Sequence, residues 1–180
     1  MISLSEKEKQ ELKKLAKEAI ESFLKKKEVP KIESNEKEIF SKKFGVFVTL
    51  KKNNSLRGCI GFVEPIYPLK QGIIYAALEA AFNDPRFLPL KEEELNEISI
   101  EISILGKLKK VNDWKKINLG KEGVLIKYGV FQSLFLPQVA KETGWSLEEF
   151  LGNLCLKAGL NYFCFKDPKT EIYSFSASVF

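Results

Sequence analysis

Between Ser5 and Lys27 the apolar residues Leu12, Leu15, Ala16, Ala19, Ile20, Phe23 and Leu24 recur at steps of three and one. That spacing lays one apolar stripe along a helix. Ser5 and Glu8 stand at the spacing of a capping box, and Val29-Pro30 ends the helix. From Phe44 the pattern changes. Phe44 to Leu50 is rich in β-branched and aromatic residues, a polar turn with Asn53-Asn54 follows, and Leu56 to Val63 forms a second strand. Pro68 to Phe82 is helical again, with Ile73, Ala76, Ala77, Ala80 and Ala81 as a small-residue face, and Asn83-Asp84-Pro85 breaks it.

Ile98, Ile100, Ile102 and Ile104 alternate with Ser99, Glu101 and Ser103, the mark of a half-buried strand with a polar second face. Two strands around Gly129 (Gly123 to Tyr128, Val130 to Leu136) and a helix from Leu147 to Ala158 follow, the helix with a Ser146/Glu149 capping box. A closing hairpin is expected from Tyr162 to Lys166 and Glu171 to Val179. Tight hairpins interleaved with helices predict an α+β fold, with mainly antiparallel sheets and flanking helices. A chain of 180 residues suits one domain, or two subdomains sharing one compact unit.

Composition narrows the chemistry. The chain is 44% hydrophobic and 29% charged, as globular proteins are. No apolar run approaches the roughly 20 residues that cross a bilayer, and the charged N-terminus carries no signal-peptide core; a cytoplasmic protein is expected. With no histidine, Ser-His and Cys-His catalysis and His-bound metals are excluded. Three cysteines cannot make a four-thiolate zinc site, so neither a metal nor a cofactor is expected. Their odd number in a cytosolic chain argues for thiols over a disulfide framework, with Cys155 and Cys164 as core sulfur.

The net charge of +5 arises from 29 basic and 24 acidic residues. Arginine accounts for just two of the basic ones, Arg57 and Arg86. Its planar fork suits carboxylates and phosphates in a way lysine does not. Side chains alternate along a strand, so Leu56, Gly58, Ile60 and Phe62 are expected to face the core, and Arg57, Cys59, Gly61 and Val63 the opposite side. A guanidinium beside Cys59 would favour its thiolate. Gly58 and Gly61 point to a bulge or to the close approach of another backbone or ligand.

Leu56-Arg-Gly-Cys-Ile-Gly61 resembles the hallmark hexapeptide of the AMMECR domain family. Gly45–Leu50, Ala80–Phe87, Ile100–Leu105, Leu134–Ala140 and Lys157–Leu160 match further family motifs in order, so the resemblance spans nearly the whole chain. It implies a larger subdomain containing both termini, a smaller inserted one, and the hexapeptide lining the region between them. It also implies an archaeal or bacterial type, whose relatives are often encoded beside radical-SAM and Memo-like proteins. At Glu122 the chain departs from the histidine or small polar residue often found there, so no imidazole role carries over.

Two functions compete. In an enzyme or enzyme subunit acting on an anionic small molecule or nucleotide-like substrate, Cys59 would be the nucleophile. Glu101 or Asp84 would handle protons, and Arg57, Gly58, Gly61 and Arg86 would hold the ligand. A non-catalytic module would instead bind nucleic acid, for which scattered lysines are thin support, or a partner such as a radical-SAM or Memo-like enzyme.

Overall fold

The computed structural model describes residues 3–30 and 37–180; Met1 and Ile2, at the head of the charged N-terminus, lie outside them. The described residues fall into two compact units, one running to Leu105 and including Ser178–Phe180, the other Gly106–Ala177.

In the first unit, α1 (Glu6–Lys26) begins at the expected capping box, and α2 (Glu38–Ser41) is a single turn. Strands β1 (Val46–Lys52) and β2 (Ser55–Phe62) form the hairpin, and α3 (Leu69–Phe82) and β3 (Ile98–Leu105) follow. The sheet runs in the order β2-β1-β3-β8, with β8 (Ala177–Val179) beside β3, so β2 is an edge. Val46, Val48, Leu50, Ile102 and Ile104 are fully buried on one face, in a cluster with Leu12, Ala16 and Ile20 of α1 and Ile73, Ala76, Ala77 and Ala80 of α3. The small residues of α3 let it lie close to the sheet. A Cβ on Gly58 would run into the Ala80 carbonyl, which is why β2 carries glycine there.

The other face of this sheet is polar and arranged in rows. Gly61, Phe47 and Ser103 share one row, Cys59, Thr49 and Glu101 the next, and Leu56, Lys51 and Ser99 a third.

The alternation expected for β2 fails at one point. Leu50 pairs with Gly58 but Lys51 pairs with Leu56, leaving Arg57 as an extra, bulged residue. A bulge resets the side-chain period. Leu56, expected in the core, therefore turns to the polar face and is 43% exposed.

The second unit holds an antiparallel sheet, β4 (Lys109–Val111), β5 (Gly123–Tyr128), β6 (Phe131–Phe135) and β7 (Glu171–Phe175), in the order β4-β7-β5-β6. Helices α4 (Pro137–Thr143) and α5 (Leu147–Lys157) accompany it; α4 was not anticipated, although Pro137 at its first turn is a favoured start. Val124, Ile126, Phe150, Leu151 and Leu154 form its core. The first arm of the expected closing hairpin is instead a 3-10 turn at Cys164–Lys166. That turn sets Cys164 against Cys155 of α5, with Cα atoms 5.9 Å apart, and the two are joined as a disulfide. The expectation of three thiols is thus corrected. Compartment and an odd count do not show that a helix end and the next turn fold back on each other, which is the geometry that permits the bond.

Candidate functional site

Cys59 lies in the middle of the edge strand β2, and three side chains fix it. On the sulfur side, the Thr49 hydroxyl of the neighbouring strand donates to Sγ at 3.2 Å. On the backbone side, the Cys59 N–H donates to Asp84 Oδ2 at 2.8 Å, and Arg86 Nη2 donates to the Cys59 carbonyl at 3.2 Å. Asp84 and Arg86 are placed by the break after α3. Because Pro85 cannot continue the helix, the chain turns, and Asp84 Oδ1 accepts the Arg86 N–H at 3.1 Å, a local turn bond typical of aspartate.

Asp84 and Arg86 also grip each other, with Arg86 Nε to Oδ1 at 2.9 Å and Nη2 to Oδ2 at 2.7 Å. The Asp84 side chain is 1% exposed and that of Arg86 is 50% exposed. The Arg86 fork, aided by the Cys59 and Arg86 amides and opposed by burial, brings the Asp84 pKa down to about 2. Asp84 in turn raises that of Arg86. A carboxylate that keeps its charge to such low pH, with every oxygen engaged, is a poor proton carrier near neutrality. In this arrangement the Asp84 carboxylate holds both the Cys59 peptide and the Arg86 guanidinium in place.

Arg57 has its own carboxylate. Its Nε and Nη2 reach Glu94 Oε1 and Oε2 at 3.0 and 2.9 Å, a bidentate pair. The Arg57 fork, against the effect of burial and with help from the Lys91 amide and Lys52, lowers the Glu94 pKa to about 2. Lys52 joins at 3.3 Å and also pairs with Glu97 at 2.7 Å. The third amine nitrogen of Arg57, Nη1, is buried with no hydrogen-bond partner. Both guanidinium groups meet at one ring: Arg57 Cζ is 5.9 Å and Arg86 Cζ 5.5 Å from the centre of Phe87, within cation–π range.

The remaining candidates are structural neighbours. Glu101 shares the Cys59 row but stands two strands away, across Thr49, and pairs with Lys51 at 3.2 Å. Gly61 makes room for the Phe47 ring across the hairpin. Sequence reasoning missed Thr49, Phe87 and Glu94. Thr49 sits opposite Cys59 once the hairpin register is known, whereas nothing in the run Glu92-Glu93-Glu94 singles out the third. Among the described residues, no three Cys, Asp or Glu side chains converge to hold a metal ion, and no helix is long and apolar enough to cross a membrane.

The order and content of these elements match known proteins. The AMMECR1 family profile matches residues 13–180. The chain belongs to the AMMECR1 family. A relative from Methanothermobacter thermautotrophicus is 43% identical over 183 residues, which cover 98% of this chain and 95% of the relative. NEQ441 of Nanoarchaeum equitans is 46% identical over 176 residues, 94% of this chain and 97% of its own. The crystal structure of PH0010 from Pyrococcus horikoshii superposes with a TM-score of 0.94 at 38% identity, over 98% of this chain and 92% of that one. This AMMECR1 chain therefore has the α+β architecture of two antiparallel sheets with flanking helices that its sequence led us to expect.

Proposed function

We propose that this AMMECR1 protein is an enzyme, or a subunit of one, that handles an anionic small molecule or nucleotide-like substrate beside Cys59. The Cys59 thiol is the reacting or carrying group, and the exposed end of Arg86 meets the anion. One observation carries the reading: the thiol is held by Thr49 on one side while its own peptide is clamped by Arg86, whose guanidinium remains half exposed. A fixed sulfur beside a positive, planar donor set is suited to attack on a substrate bearing carboxylate or phosphate. Each arginine is already paired with one carboxylate, so binding rests on the spare donors and not on a net positive field.

Alkylation of Cys59 at neutral pH tests this, comparing iodoacetate with iodoacetamide on the folded chain and on an unfolded cysteine peptide. A rate ratio favouring the anionic reagent by roughly tenfold over the peptide is expected. Equal ratios and equal rates would sink the proposal.

Leu56 at 43% and Leu88 at 79% exposure adjoin Arg57 and Phe87 in the chain and support a second reading, docking of a partner such as a radical-SAM or Memo-like enzyme. Leu88→Glu should abolish co-purification with such a partner if that reading holds, and leave alkylation of Cys59 unaltered.

A further inference from the structure

The segment from Leu56 to Val63 has one charge, no proline and five apolar residues, Leu56, Cys59, Ile60, Phe62 and Val63. On the open side of a sheet such a segment is a template for pairing with another chain, and β2 is an edge strand. In an antiparallel ladder the N–H and C=O of alternate residues point away from the partner strand. Cys59 is one of these outward residues, since its N–H and C=O bond to Asp84 and Arg86 and not to β1.

We infer that Asp84 and Arg86 form a side-chain plug that completes the edge of β2 and keeps it from pairing with a second copy of this chain. The carboxylate takes the place of the carbonyl, and the guanidinium the place of the N–H, that a fifth strand would offer. The plug is rigid because its two halves hold each other at 2.7 and 2.9 Å and the turn presents both from the two positions that flank Pro85. It sits in the middle of the regular part of β2, between the bulge at Arg57 and the strand end at Phe62. A paired strand needs consecutive outward groups, so one blocked residue there suffices. The inference does not depend on Cys59 being reactive.

Exchange of the Cys59 amide and the oligomeric state of the full chain test it together. In the chain carrying Asp84→Ala and Arg86→Ala, the Cys59 amide should exchange roughly tenfold faster or more. Light scattering should show self-association, growing with concentration, that the unsubstituted chain does not show at the same concentrations. Adding Leu56→Lys to that chain should reverse the association, because a lysine on the edge blunts pairing, whereas it would not rescue a misfolded chain. Exchange within about twofold of the original overturns the plug. Unchanged association, or association that Leu56→Lys leaves in place, overturns its guarding role. Should the double variant fail to melt cooperatively, Arg86→Gln is read by light scattering alone, with the same Leu56→Lys reversal, since it keeps the Asp84 bond to the Cys59 N–H and unbinds only the carbonyl.

Discussion

The two units treat sulfur in opposite ways. In the unit ending at Leu105, Cys59 keeps its thiol at a sheet edge and is held by a hydroxyl, a carboxylate and a guanidinium. In Gly106–Ala177, Cys155 and Cys164 lie in an apolar cluster, 0% and 3% exposed, and bond to each other. Local order around the first cysteine is electrostatic, and around the other two it is covalent and apolar. Acid should therefore act most strongly on the first region, and reductant on the second.

The largest effect is expected where backbone meets backbone. Gly58→Ala drives a Cβ into the Ala80 carbonyl of α3 and should destabilise the first unit by about 3 kcal/mol. The matching change in the second unit, Gly152→Ala, meets the Tyr162 ring, a side chain that can swing, and should cost about half as much. Chemical denaturation of both variants gives the ranking directly.

Next comes the covalent tie. It closes a loop of nine residues' separation, for which chain entropy gives about 3 kcal/mol. Treatment with a reductant should lower the melting temperature by that equivalent, and Cys155→Ala with Cys164→Ala should remove the dependence. Under denaturing, non-reducing conditions one thiol should titrate; three would mean that the contrast between the units does not exist in solution.

Acid should then pick out the first unit. Asp84 falls from 3.8 to about 2 and Glu94 from 4.5 to about 2. Both folded-state values lie below the unfolded ones, so the stability they contribute is complete above about pH 5 and is lost as pH falls toward 2. About 2 kcal/mol is at stake for Asp84 and about 3 kcal/mol for Glu94. Asp84→Asn and Glu94→Gln should flatten the pH profile of stability between 5 and 2, measured with or without reductant. The smallest effect belongs to Thr49→Val, which removes a hydroxyl bond to sulfur and should cost no more than about 1 kcal/mol. Its imprint should be on the alkylation rate of Cys59 more than on the melting curve.

Much of the fold could be read from periodicity because local rules and tertiary packing agree there. The stripe of α1, its capping box and the alternating isoleucines of β3 each appear within a residue or two of expectation. At the candidate site, the scarcity of arginine and the hexapeptide pointed to residues that do come together: Arg86 and Asp84 bond to Cys59. What escaped was whatever depends on register or on the return of the chain. The bulge that turns Leu56 outward, the pairing of Arg57 with Glu94 thirty-seven residues away, and the meeting of Cys155 with Cys164 are set by three-dimensional alignment. No local pattern at Leu56, Glu94 or Cys164 announces them.

The bulge at Arg57 also bears on which changes in length this strand can accept. Because Lys51 pairs with Leu56 and Leu50 with Gly58, deleting Arg57 would leave every other pairing of the hairpin intact and convert it to a regular ladder. Deleting a residue between Cys59 and Phe62 would instead shift the register and turn core residues outward. The sheet could thus dispense with this residue, yet it is the one whose guanidinium ties β2 to Glu94 and Phe87. Its presence lengthens the hairpin by one position for the sake of a side chain and not of the strand.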